Sequence, residues 1–295
     1  MKIISFYIMN SKGYFVLKSF VEKYGSDCIS YVISCKDHGV SDDFSCRIKA
    51  LSADNSIRYF DRHDNNKDIQ DTFSGWRFAI GWKWIIEDSS QLVVFHDSLL
   101  PKYRGFAPLV NSLINNETKA GVTALLASDK YDEGDVIDQL DIEIDYPIKI
   151  DRLIKQIEPL YFSLVSKVFL KLRDNENLTS HSQDENQATY GLWLDEKDYF
   201  INWTWSADKI KRFVDATGYP YNNAKSYLNN KIVKFIDVEV VNDVVIKSRD
   251  RHVGKVIFVK NERLVVVCRK GLLLIKNILD NDDNKLNINF RSRFE

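Results

Sequence analysis

The chain has 295 residues, of which 44% are hydrophobic and 28% are charged, which is the balance of an ordinary globular protein. Its 41 Lys and Arg residues are offset by 42 Asp and Glu residues, so the net charge is -1. Proteins that capture nucleic acid through their overall charge carry a basic excess or a basic stripe. We therefore expect no nucleic-acid partner.

Targeting and metal-binding signals are also missing from the sequence. The first residues, MKIISFYIMN, are followed by a polar stretch and not by the apolar core of a secretory leader. No run of about 18 apolar residues follows, so we expect no membrane span and a cytoplasmic location. The cysteines form no CxxC pair and have no histidine at metal-ligand spacing, which predicts reduced thiols and no bound metal. They are Cys28, Cys35, Cys46 and Cys268.

The first part of the chain alternates short apolar runs with helical patterns. The predicted strands are Lys2–Met9, Cys28–Ser34, Ser56–Phe60, Phe78–Ile80 and Leu92–Phe95. The predicted helices contain Phe15 to Val21, Ser45–Ala53, Phe106–Asn115 and Asp151–Leu172. Strands that alternate with helices form a parallel sheet with crossover helices. Residues 1–175 are therefore predicted to form a doubly wound α/β domain with a mostly parallel sheet.

The second part of the chain is richer in strands. Residues 176–189 lie within a polar, turn-rich stretch and are predicted to be a linker. Residues 190–295 then contain one short helix, Ala207–Thr217, and several closely spaced strand patterns. These are Ile232–Val241, Val253–Val259, Leu264–Cys268 and Leu272–Ile278. This pattern predicts a small, β-rich, barrel-like second domain.

His96 directly follows the predicted strand Leu92–Phe95. Ligands of open α/β sheets bind outside the carboxyl ends of the strands, so this position is a candidate for function. A single histidine is nevertheless more often structural, and Asp132 by itself would be a turn residue in an acidic, glycine-containing loop. The neighbouring sequence changes both interpretations.

Several short motifs begin at His96 or follow it in the sequence. They are His96-Asp97-Ser98-Leu99-Leu100-Pro101, Gly105, Gly121-Val122-Thr123 and Asp132-Glu133-Gly134-Asp135. This segment resembles the formyltransferase family, which includes methionyl-tRNA formyltransferase, glycinamide ribonucleotide transformylase and the sugar N-formyltransferases. The resemblance implies acyl transfer to an amine through a tetrahedral oxyanion. It implies that His96 transfers a proton and supports the oxyanion, and that Asp132 orients His96.

One residue departs from the family pattern. The family has an oxyanion-binding asparagine two residues before the histidine, where this chain has Val94. Losing such a donor costs about 2.7–4 kcal/mol of transition-state stabilisation. Because valine also leaves more room for a larger acyl group, we favour acyl-CoA as the donor, with 10-formyltetrahydrofolate as the alternative. A relative that binds ligands without catalysis is a further alternative.

The acceptor and the remaining site residues are also implied by the resemblance. The run Gly81-Trp82-Lys83-Trp84 resembles the sugar enzymes, in which it lies beside the folate, so Gly81, Trp82, Trp84 and Val94 are assigned to the donor site. The residues assigned to the acceptor site are Lys102, Arg104, Gly105, Trp193 and Tyr221. In this assignment Lys102 or Arg104 binds a phosphate, and the aromatic rings contact a base or a hexose. The resemblance thus implies a nucleotide-linked amino sugar as acceptor, a role in polysaccharide biosynthesis and a homodimer. Formylation of a transfer RNA would require a basic face, which the net charge of -1 does not predict.

Overall fold

The computed structural model describes residues 3–64, 73–286, 288 and 290–295, so the beginning of the predicted strand Lys2–Met9 lies outside the described residues. The chain divides into two compact units. The first comprises Met1–Leu109, Thr118–Ile144 and Arg152–Trp193, and the second comprises Val110–Glu117, Asp145–Asp151 and Leu194–Glu295. Residues 176–189, predicted to be a linker, thus belong to the first unit. Two short internal segments belong to the second.

The first unit is built on a seven-stranded, mostly parallel sheet, as the sequence predicts. Its strand order is β3-β2-β1-β4-β5-β7-β8. The first five strands in this order are parallel, and β7 is antiparallel to both β5 and β8. The strands are β1 (Ile4–Ile8), β2 (Ile29–Ser34), β3 (Arg58–Asp61), β4 (Trp76–Ile80), β5 (Leu92–His96), β7 (Lys119–Leu126) and β8 (Val136–Glu143). A two-residue parallel pair, β6 (Arg104–Gly105) and β9 (Tyr190–Gly191), lies outside this sheet.

Burial explains why the parallel part of the sheet is so apolar. Every residue of β1 and β2 is buried, which is typical of parallel strands covered on both faces. The helices are α1 (Asn10–Tyr24), α2 (Ser45–Asp54), α3 (Pro108–Ile114) and α4 (Ile150–Arg173). Phe20 of α1 packs edge-on against Phe6 of β1 at 5.3 Å and against Phe169 of α4 at 4.8 Å, so these three elements share one core. No helix of the described residues is long and apolar enough to cross a membrane.

The topology places two loop ends where a ligand can bind. The strand order reverses between β1 and β4, and open α/β sheets bind ligands at the carboxyl ends of strands near such a reversal. His96 ends β5, the neighbour of β4. The loop 127–135 between β7 and β8 returns over the same region, since Ala127 packs in the apolar cluster that contains Val94.

The second unit is a small antiparallel β domain, again as predicted. Its strand order is β10-β11-β14-β13-β12. The strands are β10 (Ala224–Leu228), β11 (Lys231–Val241), β12 (Val256–Lys260), β13 (Arg263–Val267) and β14 (Leu272–Asp280), and α5 (Ala207–Thr217) packs on them. The last residues join the two outer strands, because Glu295 exchanges backbone hydrogen bonds with Tyr227 while Phe294 donates to Gly254. This closure makes the sheet barrel-like.

Candidate functional site

His96 is the last residue of β5, and only 8% of it is exposed. Its Nε2 lies 2.8 Å from the carbonyl oxygen of Tyr103, and its Nδ1 lies 3.5 Å from Oδ2 of Asp132. Both ring nitrogens therefore face an acceptor. When Nε2–H donates to Tyr103, a proton that arrives at Nδ1 is held between the imidazole and the carboxylate. The Tyr103 carbonyl and the Asp132 carboxylate therefore fix the orientation of the ring.

Asp132 lies in the 127–135 loop with a left-handed backbone, φ 56°, which aspartate and asparagine tolerate better than most residues. Its Oδ2 accepts a hydrogen bond of 2.8 Å from the backbone amide of Gly105. Gly105 has φ 87°, and a Cβ atom there would lie 2.7 Å from the carbonyl oxygen of Gly191. Only glycine can therefore bring this amide to the carboxylate without displacing its neighbour.

The loop after His96 is fixed by hydrogen bonds to β7 and β8. The Thr123 hydroxyl donates to the carbonyl oxygen of Ser98 at 2.6 Å and accepts from the amide of Leu100 at 3.2 Å. Gln139 donates to the Leu100 carbonyl at 2.9 Å and to the Thr123 hydroxyl at 2.8 Å. These bonds give physical roles to the Ser and Leu of the motif after His96 and to the Thr of Gly121-Val122-Thr123. They hold the loop in place.

Arg104 has a different role from the one predicted for it. Its side chain is completely buried, and its guanidinium makes five hydrogen bonds of 2.6–3.1 Å, to Gln183, Glu185 and the Tyr190 hydroxyl. A guanidinium has five N–H groups, so none is left for a phosphate. The prediction that Arg104 binds phosphate is corrected on this ground: desolvation and complete pairing make it an internal anchor.

An aromatic surface lies beside Asp132 and consists of Phe106, Tyr131 and Trp193. The Phe106 ring centroid is 5.6 Å from that of Tyr131 and 6.1 Å from that of Trp193. Tyr131 is 45% exposed and Trp193 is 65% exposed. Large exposed rings next to buried polar groups are common at ligand sites. Of these three residues only Trp193 was predicted from the sequence.

The residues assigned to the donor site lie together on the sheet. Gly81 follows β4 with φ 63°, and Trp82 contacts Tyr7 at 5.4 Å and Trp84 at 5.2 Å between ring centroids. Val94 and Trp82 pack against the same buried cluster. The Nε1 donor of Trp82 is buried and has no partner among the described residues. A buried donor of this kind calls for an acceptor, which a polar ring system in this region would supply.

Lys102 and Tyr221 are the last two residues that were predicted for the acceptor site. Lys102 is exposed in the loop after His96. Tyr221 belongs to the second unit, in the turn after α5, where its amide donates to the carbonyl oxygen of Gly218 at 2.9 Å.

Gln183 and Glu185 were missed from the sequence because they lie in the segment interpreted as a linker, and Tyr190 directly follows that segment. Gln183 is partly buried but Glu185 is exposed, so the acidic and amide side chains of this segment resemble those of a solvated linker.

Comparison with known proteins gives two family matches. Residues 75–166 match the family described as "Formyl transferase", and residues 194–292 match "Formyl transferase, C-terminal domain". Among curated proteins, methionyl-tRNA formyltransferase of Campylobacter jejuni is 26% identical over 202 residues, 68% of this chain and 62% of that protein. The same enzyme of Thermodesulfovibrio yellowstonii is 34% identical over 180 residues, 61% of this chain and 55% of that protein. The chain thus matches about six tenths of the length of these relatives.

Two solved structures are similar over nearly their whole length. One is WlaRD, a sugar 3N-formyltransferase determined with dTDP and 5-N-formyl-THF, with a TM-score of 0.68 and 21% identity over 98% of this chain and 100% of that one. The other is an N-formyltransferase from Helicobacter canadensis in complex with folinic acid and dTDP-3-aminofucose. Its TM-score is 0.70, with 19% identity over 93% of this chain and 99% of that one. At these identities the likeness concerns the fold.

Proposed function

Because the chain belongs to the formyltransferase family, with domain matches over more than half of its length, we propose that it formylates the amine of a nucleotide-linked amino sugar. The observation that carries the proposal is the contact of His96 with Asp132 at the carboxyl end of β5. A nearly buried imidazole backed by a carboxylate is suited to proton transfer from an attacking amine.

The reaction forms one bond and breaks another. The amine nitrogen attacks the formyl carbon, and the bond from that carbon to the donor nitrogen breaks. His96 takes the proton lost by the amine, Asp132 stabilises the resulting positive charge, and His96 then gives this proton to the donor nitrogen as it leaves. With Val94 in place of an amide side chain, the positive charge of protonated His96 would stabilise the developing oxyanion.

The proposed donor is 10-formyltetrahydrofolate, and this replaces the acyl-CoA favoured from Val94 alone. The comparisons give acyl-CoA no support, whereas both solved neighbours are described with a formyl folate or folinic acid. Within this chain, the unpartnered Nε1 of Trp82 lies in the cluster that also receives Val94. A pterin ring offers acceptors for such a donor and a flat surface for the neighbouring Trp84.

The proposed acceptor is a sugar and not a transfer RNA. Two solved sugar N-formyltransferases share the fold of this chain over 100% and 99% of their own chains. The net charge of -1 also gives no general attraction for RNA. In this assignment Trp193 and Tyr131 stack on the base or hexose, since both rings are exposed beside Asp132. A cytoplasmic location and a homodimer stay predictions from the sequence.

The proposal is tested by product analysis. The purified protein is offered a panel of nucleotide-linked amino sugars with either 10-formyltetrahydrofolate or acetyl-CoA, and products are identified by mass spectrometry. One or more formylated sugars are expected as products, and only when the folate is the donor. A separate reaction with methionyl-tRNA serves as the competing acceptor.

Two results would contradict the proposal. Acetylated sugars would restore acyl-CoA as the donor, and formylated methionyl-tRNA without any sugar product would move the chain to the transfer-RNA branch. His96→Asn serves as the matched inactive control, because a product that persists at the same rate in this variant does not arise at the assigned site.

A further inference from the structure

Residues 181–191, which we call the strap, pair with both loops that form the site. At one end His181 exchanges two backbone hydrogen bonds, of 2.8 and 2.9 Å, with Val136 at the start of β8. At the other end the amide of Arg104 donates to Thr189 at 2.8 Å, and that of Phe106 donates to Gly191 at 2.9 Å. The strap therefore connects the loop after His96 to the loop that carries Asp132.

Gln183 is the centre of this connection. Its Oε1 accepts two hydrogen bonds from Arg104, at 2.9 and 3.0 Å. Its Nε2 donates to the backbone carbonyl of Asp132 at 2.7 Å and to that of Gly134 at 2.8 Å. All four bonds are satisfied in one orientation of the amide only, because turning it over would place Nε2 against the donors of Arg104.

Tyr190 makes a second connection of the same kind. Its hydroxyl accepts from Arg104 and donates to Glu133, both at 3.1 Å. The backbone carbonyls of Asp132 and Gly134 and the side chain of Glu133 are thus held by groups that Arg104 holds in turn. Asp132 itself keeps a left-handed backbone, which is less favourable than an ordinary turn and therefore depends on these partners.

We propose that Arg104 and Gln183 are positioning residues. Their hydrogen bonds join the strap to the 127–135 loop and thereby fix the carboxylate of Asp132 against His96. The proposal rests on the formyl transfer assigned above. Neither residue touches the substrate, since Arg104 is buried and the polar groups of both side chains are fully used. Their effect reaches the reaction through the geometry of Asp132.

Two substitutions at Gln183 separate the contacts. Gln183→Glu keeps the acceptor oxygens for Arg104 but places a second oxygen against the carbonyls of Asp132 and Gly134. Gln183→Ala removes both sets of bonds. Both variants are expected to lower kcat by about 10- to 100-fold, the scale of a misplacement near 1 Å, with the KM for the folate unchanged. Gln187→Ala, an exposed glutamine of the same segment bonded to Asp184, is the control and should keep full kcat.

A double-mutant comparison asks whether Gln183 acts through Asp132. In an Asp132→Asn background, adding Gln183→Ala should lower the residual kcat no further, because residues that act as a unit are not additive. A full additional loss would show that Gln183 acts elsewhere and would overturn the proposal.

Hydrogen–deuterium exchange supplies a measurement that needs no activity. In Gln183→Glu the amides of residues 127–135 should exchange faster than in the parent protein, while those of β1 and β4 stay protected. Unchanged exchange in this loop would overturn the positioning role even if the protein formylates sugars. If the parent protein transfers no formyl group but the loop loosens as expected, the proposed function fails and the structural role of Gln183 stands.

Discussion

The backbone amide of Gly105 donates to Oδ2 of Asp132 at 2.8 Å, and this same oxygen lies 3.5 Å from Nδ1 of His96. One carboxylate oxygen thus receives an amide hydrogen bond and faces the imidazole. The hydrogen bond from the Gly105 amide fixes this oxygen in place, so the carboxylate can orient His96.

Gly105→Ala should disrupt this arrangement. The new Cβ would lie 2.7 Å from the carbonyl oxygen of Gly191 at φ 87°, so the strand pair β6–β9 must separate and the amide must leave Asp132. We expect a loss of more than about 1–2 kcal/mol in the free energy of unfolding, the strain of the left-handed backbone alone, and a large fall in kcat. Thermal unfolding and the formyl-transfer assay measure these effects. Gly25→Ala is the matched control, since Gly25 has φ 76° with nothing within 4 Å of its Cβ position, and it should lose stability but keep kcat.

Asp132→Asn should remove activity without removing the fold. Asparagine tolerates the left-handed backbone at this position and still offers an oxygen to the Gly105 amide, but it cannot stabilise a charged His96. We expect kcat to fall by about 10²- to 10⁴-fold, the usual contribution of a positioned acid–base group, with a melting temperature close to that of the parent. Asp132→Ala should lose stability in addition. Wild-type kcat in Asp132→Asn would refute the assignment of this pair.

Val94→Asn should restore an oxyanion donor. Val94 is on the same face of β5 as His96, because side chains two residues apart in a strand share a face. We expect kcat to rise by up to about 10²-fold, while the free energy of unfolding falls by about 1–3 kcal/mol because an amide enters the apolar cluster around Leu125 and Trp82. Kinetics and chemical denaturation test this together. Val94→Ala is the control, because alanine carries no hydrogen-bond donor, and it should lose stability without a gain in kcat. An equal rise of kcat in both variants would mean that the reaction is limited by space at this position and not by the missing amide.

The cysteines should react with Ellman's reagent in order of exposure. Cys46 is exposed and Cys28 is partly buried, whereas Cys35 and Cys268 are buried. Burial raises the pKa of Cys35 to about 11 and that of Cys268 to about 12, so at pH 8 these two thiols carry almost no reactive thiolate. We expect fast labelling of Cys46 in the native protein, and labelling of Cys35 and Cys268 only after unfolding. Rapid native labelling of Cys268 would contradict the barrel core described for the second unit.

The strands of the first unit were predictable because their residues are apolar on both faces. The run Leu92–Phe95 predicted a buried strand, and the structure extends it by one residue to His96. The long helix was predicted as Asp151–Leu172 and is observed as Ile150–Arg173, since its apolar spacing is regular over more than five turns. The weaker pattern at Phe106–Asn115 gave a helix three residues longer than the observed Pro108–Ile114.

Residues 176–189 were predicted to be a linker, whereas they belong to the first unit. A polar stretch reads as a solvated linker when its partners are distant in sequence, and the partner of Gln183 and Glu185 is Arg104, about 80 residues earlier. The same separation made Arg104 look like a surface cation available to phosphate. Only its burial and its five hydrogen bonds reveal an internal anchor.

The sequence alone determined the fold class and the strand that leads to His96, because apolar periodicity is a local property, and the family resemblance implied the pairing of His96 with Asp132. The tertiary structure decided which polar groups meet. Whether a buried arginine, amide or carboxylate binds a ligand or holds a loop depends on whether its hydrogen bonds are already satisfied, and those partners come from parts of the chain that only folding brings together.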